Sequence, residues 1–192
     1  MKESIAILKS EHRSISAVLH ALKSLARMMQ SGSQPRFQVL RSMLRYLDEF
    51  PERLHHPKED EFLFARLAQR APAACVLIDK LQAEHRQGAR LIRELERALL
   101  FLEEGWPDRV YTFRLAVDAY ADFHWKHMRK EERELLPLAE RHFTAEDWAA
   151  VDAAFSANRD PIAGLREQDY EELFSRIASL APAPVGLGEP WN

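Results

Sequence analysis

Two stretches decide the fold, His55-His56-Pro57-Lys58-Glu59 and His127-Met128-Arg129-Lys130-Glu131. Each follows a second shared phrase, Glu11-His12-Arg13 before the first and Glu84-His85-Arg86 before the second. The offset is 73 residues from His12 to His85 and 72 from His55 to His127. A two-part phrase repeated at so constant a spacing marks a duplicated unit, and the unit is long enough for a pair of helices.

Working outward, apolar residues recur in steps of three and four on both sides of each phrase. Residues 2–30 read as a helix whose stripe is Ile5, Leu8, His12, Ile15, Leu19, Leu22, Ala26 and Met29, with His12 inside the stripe. Ser31-Gly-Ser-Gln-Pro35 is a turn by composition. A second helix runs from about Arg36 to Arg70 with Phe37, Leu40, Leu44, Leu47, His55, Glu59 and Phe62 on one face. Pro51 and Pro57 lie within it and predict a kink or a break. A third helix opens at Pro72 and buries Ile78, Leu81, His85, Gly88, Ile92, Leu95, Leu99 and Leu102. The fourth spans about Asp108 to His142 along Phe113, Val117, Tyr120, His124, His127, Glu131 and Leu135, with Pro137 kinking its end. Four amphipathic helices with short connections predict an all-α, up-down-up-down four-helix bundle over residues 1–143.

Beyond it, Thr144-Ala-Glu-Asp147 has the form of a capping box and opens a short helix reaching Phe155. Residues 167–180 read as another helix. These short extra helices make residues 144–180 a C-terminal extension packed on the bundle, and the Pro- and Gly-rich residues 181–192 read as a flexible tail.

The charge balance, 27 basic against 30 acidic residues with a net charge of -3, carries no nucleic-acid footprint and no polybasic membrane patch. No apolar run is long enough to span a bilayer. The single Cys75 cannot form an internal disulfide and reads as a small buried hydrophobe. The expectation is a soluble, cytoplasmic protein.

The duplicated phrases carry the chemistry. With helices one and three running one way and two and four the other, His12, His55, His85 and His127 come to one level of the bundle. Glu59 and Glu131 follow their histidines by four residues and share their faces. Unpaired carboxylates in an apolar core cost several kcal/mol, and the stripes hold no Lys or Arg to neutralise them. A pair of metal ions would, with carboxylates bridging and imidazoles outside. Mixed nitrogen and oxygen donors suit iron, with manganese or zinc possible.

The pattern His12, His55-x-x-x-Glu59, His85, His127-x-x-x-Glu131 resembles the hemerythrin-like family, also called the HHE cation-binding domain, over roughly residues 5–140. The resemblance implies a four-helix bundle around a non-haem di-iron centre. It also implies functions such as binding or sensing dioxygen, nitric oxide or redox state, or handling iron. Oxygen-carrying hemerythrins have a second histidine on the third helix, four residues after the first; here that position is Ala89, beside Gly88. His124, one turn before His127 on the antiparallel fourth helix, is the expected replacement ligand. The two-fold relation maps His124 onto Glu52, a further candidate ligand of the other ion. His56 competes with His55 but shares a face with Arg53, Asp60 and Leu63, which favours His55. Glu132 and Asp60 compete in the same way with the bridging glutamates, and Glu11 and Glu84 are read as solvent-facing or as outer partners of the ligands. Tyr120 shares the stripe one turn beyond His124 and reads as an aromatic core residue, with lining of the pocket as the alternative.

Three functions remain open at this level. A di-iron binding or sensing protein is favoured, with a small diatomic ligand such as O2 or NO and with a homodimer or a separate signalling partner. A ferritin-like oxidase or peroxidase would need Glu-x-x-His twice, and it occurs once, at Glu52-Arg-Leu-His55. A helical interaction module with a degenerate metal site is the third.

Overall fold

The computed structural model describes residues 2–156, 179, 181–183, 185–188 and 191. Five helices organise them: α1 (Glu3–Gln30), α2 (37–70), α3 (Cys75–Glu104), α4 (110–142) and α5 (Ala145–Ser156). The first four form an all-α bundle in which α1 packs beside α4, α4 beside α3, and α2 against both α1 and α3. The stripes read from the sequence are buried on α1, α3 and α4. α1 ends at a left-handed Gly32 (φ 100°), where the amide of Ser33 donates to the Met28 carbonyl and that of Gly32 to Met29. This six-to-one closure is the arrangement in which glycine is favoured, because only glycine adopts that φ without crowding.

Neither Pro51 nor Pro57 breaks α2. The helix passes through two π-helical segments, Asp48–His55 and Glu59–Phe64, separated by the single α-turn His56–Lys58. α4 likewise passes through Glu131–Leu135 just before Pro137. A proline has no N–H to donate and its ring crowds the carbonyl four residues back. A turn bonded across five residues displaces that carbonyl and keeps the helix continuous. The wider turns also slip the phase of α2, so the face expected from a constant 100° step is not kept. Phe62, expected inside, is 37% exposed, while Leu63 and Phe64 are buried in its place.

The apolar core is split in two. One cluster, from Ile15, Leu19 and Leu44 to Leu95 and Phe113, fills the larger end of the bundle. The other, from Leu8 and Leu63 to Leu81, Leu135 and Phe155, fills the end covered by α5. His12, His55, His85 and Glu131 fall between them on α1, α2, α3 and α4, so the four helices bring these residues to one level.

The capping box forms as read. The Thr144 amide donates to Asp147 Oδ2 at 2.9 Å, and the Asp147 amide donates to Thr144 Oγ1 at 3.2 Å. Asp147 also accepts hydrogen bonds from Arg66 and Arg70 of α2, and Asp152 accepts from the Ser4 amide and hydroxyl, which fastens α5 across the bundle. The helix expected over 167–180 falls mostly outside the described residues. Among the described residues of the tail, Ala181 and Trp191 are buried against the larger apolar cluster, and the Gly188 amide donates to the Ala181 carbonyl. Cys75 is half-buried rather than buried, because it opens α3 at the edge of the smaller cluster.

Thr144→Ala removes the side-chain half of the α5 cap. The unfolding free energy should drop by about 1 kcal/mol, measured by urea denaturation, with metal content unchanged because Thr144 is remote from the polar layer. An unchanged midpoint would mean that α5 is held by Asp147 alone.

Candidate metal centre

The polar layer between the two apolar clusters contains five imidazoles whose Nδ1 atoms each face a carboxylate. His12 Nδ1 meets Glu132 at 2.8 Å, and His55 Nδ1 meets Glu11 at 2.8 Å. His85 meets Asp60 at 3.1 Å, His127 meets Glu84 at 3.1 Å, and His56 meets Glu52 at 3.3 Å. These contacts explain why the shared phrases are Glu-His and Lys-Glu-acidic rather than bare histidines. Glu11 and Glu84 each hold a histidine of the following helix and the lysine three residues beyond it, Lys58 or Lys130. Asp60 and Glu132, one residue beyond the buried glutamates, hold the histidines of α3 and α1. Asp60 and Glu132 stay at the edge of the layer, their side chains 35% and 39% exposed. Carboxylates on Nδ1 fix ring orientation and raise the basicity of the opposite nitrogen.

The Nε2 atoms point the other way, toward Glu59 and Glu131, which are completely buried. Glu59 lies 3.9 Å from His12 Nε2, 3.5 Å from His55 Nε2 and 3.6 Å from His85 Nε2. Glu131 lies 3.3 Å from His12 Nε2, 3.5 Å from His85 Nε2 and 3.1 Å from His127 Nε2. Both carboxylates therefore touch histidines of both repeats. All four of their oxygens, with His12 Nε2 and His55 Nε2, are buried without a hydrogen-bond partner. Two interlocking donor sets result, His12, His55, Glu59 and Glu131 on one side and His56, Glu59, His85 and His127 on the other, with the donor atoms of each set within 4.8 Å of one another. Buried polar atoms left bare in this number are what a cation would satisfy, so the residues fit a metal pair.

His56 is the residue the constant-step reading turned outward. The π turns on either side of His56–Lys58 let His55 and His56 both face the core, His55 into one set and His56 into the other. His124 is fully buried, as its stripe requires, but it lies outside both sets. Its Nε2 is 3.5 Å from Glu52 Oε1, and its ring packs 4.3 Å from Tyr120 and 5.9 Å from His56. Glu52 and His124 were assigned to opposite ions on two-fold grounds, yet they meet. Each sits one turn before the layer on parallel, diagonal helices, so both reach the bundle axis. The space expected beside Ala89 is also occupied differently. Ala89 is exposed, and it is Gly88 that faces inward, with the Glu52 carboxylate packed so close that an added Cβ would lie 2.8 Å from Oε1.

Without a cation, protons hold the layer together. Burial pushes Glu59 well above the ordinary carboxylate range, and the charge of Glu131 adds to it. Burial acts on Glu131 in the same sense, but His127, His12 and His85 outweigh it and hold Glu131 well below that range. Burial alone would lower His127, yet Glu131 and Glu84 lift it to about 9. Burial drives His55 down to about 4 and His124 to about 3, and raises Glu52 to about 8.

A helical bundle enclosing a buried histidine–carboxylate layer defines a class of cation-binding protein. The family model of the hemerythrin HHE cation binding domain matches residues 3–139, and the chain belongs to that family. No curated protein matches it.

The proton-held state has a pH signature. His127, near 6.5 when unfolded and about 9 when folded, stabilises the metal-free fold fully below about pH 6.5, and that contribution is lost as pH rises through about 9. Glu52 and Glu59, both raised, act with the same sign. The melting temperature of chelator-treated chain should therefore drop between about pH 7 and pH 9, and that of metal-loaded chain should change less. A metal-free melting temperature that climbs over this interval would contradict the assignment.

Proposed function

We propose that the chain holds two metal ions, iron in the first instance with manganese or zinc as alternatives, side by side at the level of His12 and His85. Glu59, common to both donor sets, and Glu131 would be the carboxylates that hold the two ions together. His12 and His55 complete one ion's donors, and His56, His85 and His127 the other's. The observation that carries this reading is the pair of donor sets sharing a fully buried glutamate. When bound, an iron pair supplies electron exchange and a coordination position for a small ligand. The protein's part is to orient five imidazoles through their Nδ1 carboxylates and to exclude bulk water with the apolar clusters on either side. His124, Glu52 and Tyr120 form the wall behind His56.

The function that best suits such a centre is binding or sensing a small diatomic ligand such as O2 or NO, in the cytoplasm, with a second copy or a separate signalling partner carrying the readout. Turnover of the ferritin-like kind is less well supported, because Glu52 of the lone Glu-x-x-His is engaged with His56 and faces His124. Among the described residues no helix is long and apolar enough to cross a membrane.

Metal analysis of iron-loaded chain should give about two ions per chain. Glu59→Ala combined with Glu131→Ala should abolish paired loading, and full loading of that variant would rule out the bridging role. Binding at a hundredfold excess over Kd adds about 2.7 kcal/mol of stability for one site. Chelation should therefore lower the melting temperature at neutral pH.

A further inference from the structure

The two repeats are not equivalent at one position. Where α2 carries His56, the corresponding residue of α4 is Met128. On the Met128 side the surface between α1 and α4 opens into a cavity of about 720 Å3, and His12 forms part of its wall. Arg13 of α1 and Arg129 and Arg133 of α4 also line it, and the carboxylate lining it is Glu132. That carboxylate is occupied by His12 Nδ1 at 2.8 Å. None of the three arginines makes an ion pair among the described residues; Arg27, Arg36, Arg86, Arg90, Arg97, Arg109 and Arg141 make none either, and what sets the three apart is that they line one concave surface. The far wall is Trp125, with the His20 ring packed 4.5 Å from it. Three guanidiniums on a concave surface with a single carboxylate, itself hydrogen-bonded to His12, concentrate anions, and a guanidinium fork matches an oxyanion better than a halide.

We propose that this cavity is an oxyanion-binding vestibule of the metal centre, taking a small inorganic oxyanion of the size of nitrite or phosphate between Arg13, Arg129 and Arg133. The link to the metals rests on the function proposed above, since the vestibule reaches the centre through the His12 ring. The anion-binding property itself rests on the arginines alone. A neutral diatomic ligand has no use for such a charge arrangement, so the vestibule extends the ligands of this protein to anions.

Isothermal titration of full-length chain with sodium phosphate, and separately with sodium nitrite, tests this. Iron-loaded, zinc-loaded and as-purified samples should be run in parallel, with metal content and melting temperature measured on each. Binding should appear in all three, weaken as salt is raised, and weaken at least tenfold in Arg129→Gln combined with Arg133→Gln while metal content and melting temperature stay at the parent values. Arg129→Lys combined with Arg133→Lys, which keeps the charge, should recover part of the loss and guards against a folding defect in the glutamine variant. Absence of binding in every sample would overturn the proposal. So would binding confined to iron-loaded chain and indifferent to the arginines, which would mean that iron alone holds the anion. If the chain proves to take up no metal, the as-purified titration still reads the arginines, so failure of the vestibule and failure of the metal centre are separable.

Discussion

The structure is governed by the burial of two carboxylates, Glu59 and Glu131, at full depth between two apolar clusters. An ionised carboxylate in that position is tolerated only when something positive faces it. The chain offers imidazoles, and it fixes each of the five around the glutamates from behind with a further carboxylate. This nested arrangement alternates charge from the axis outward: buried glutamate, imidazole, outer carboxylate, then lysine at Glu11 and Glu84. Burial and neighbouring charge set the protonation of this layer: Glu131 and Glu84 lift His127, whereas burial drives His55 down.

The π-helical segments belong to the same constraint. A regular α-helix can bury two adjacent residues, as α1 does with Glu11 and His12, but on α2 both His55 and His56 bring a ring nitrogen into the polar layer. The wider turns around His56–Lys58 admit both, and the prolines at 51 and 57 keep the helix from relaxing to a regular α form. α4 has a single such segment and no second histidine at Met128. The duplicated hairpins have therefore diverged into a nitrogen-rich side closed by Glu52 and His124 and a side that opens through His12 to the arginine-lined cavity.

α5 contributes at a distance. Phe155 is buried beneath Lys58, whose ammonium lies 5.2 Å from the ring centroid and donates to Glu11, and Glu11 in turn orients His55. The extension is thus continuous with the supports of the metal layer through named contacts, beyond closing the smaller apolar cluster.

By itself the sequence determined the bundle, the stripes of α1, α3 and α4, the level at which the histidines meet and the two central glutamates. All of these follow from a period of 3.6 residues and from a repeat that fixes register. It also determined the α5 cap, because a capping box is a local interaction between Thr144 and Asp147. What it did not carry was any departure from that period. The inward turn of His56 and the outward turn of Phe62 depend on π turns and on the helix phase they set. Those are settled when prolines, carbonyls and neighbouring helices compete for the same space. The meeting of Glu52 with His124 over Gly88, and the burial of Trp191, were likewise decided by tertiary packing, since they join residues whose separation along the chain says nothing about their distance across the core.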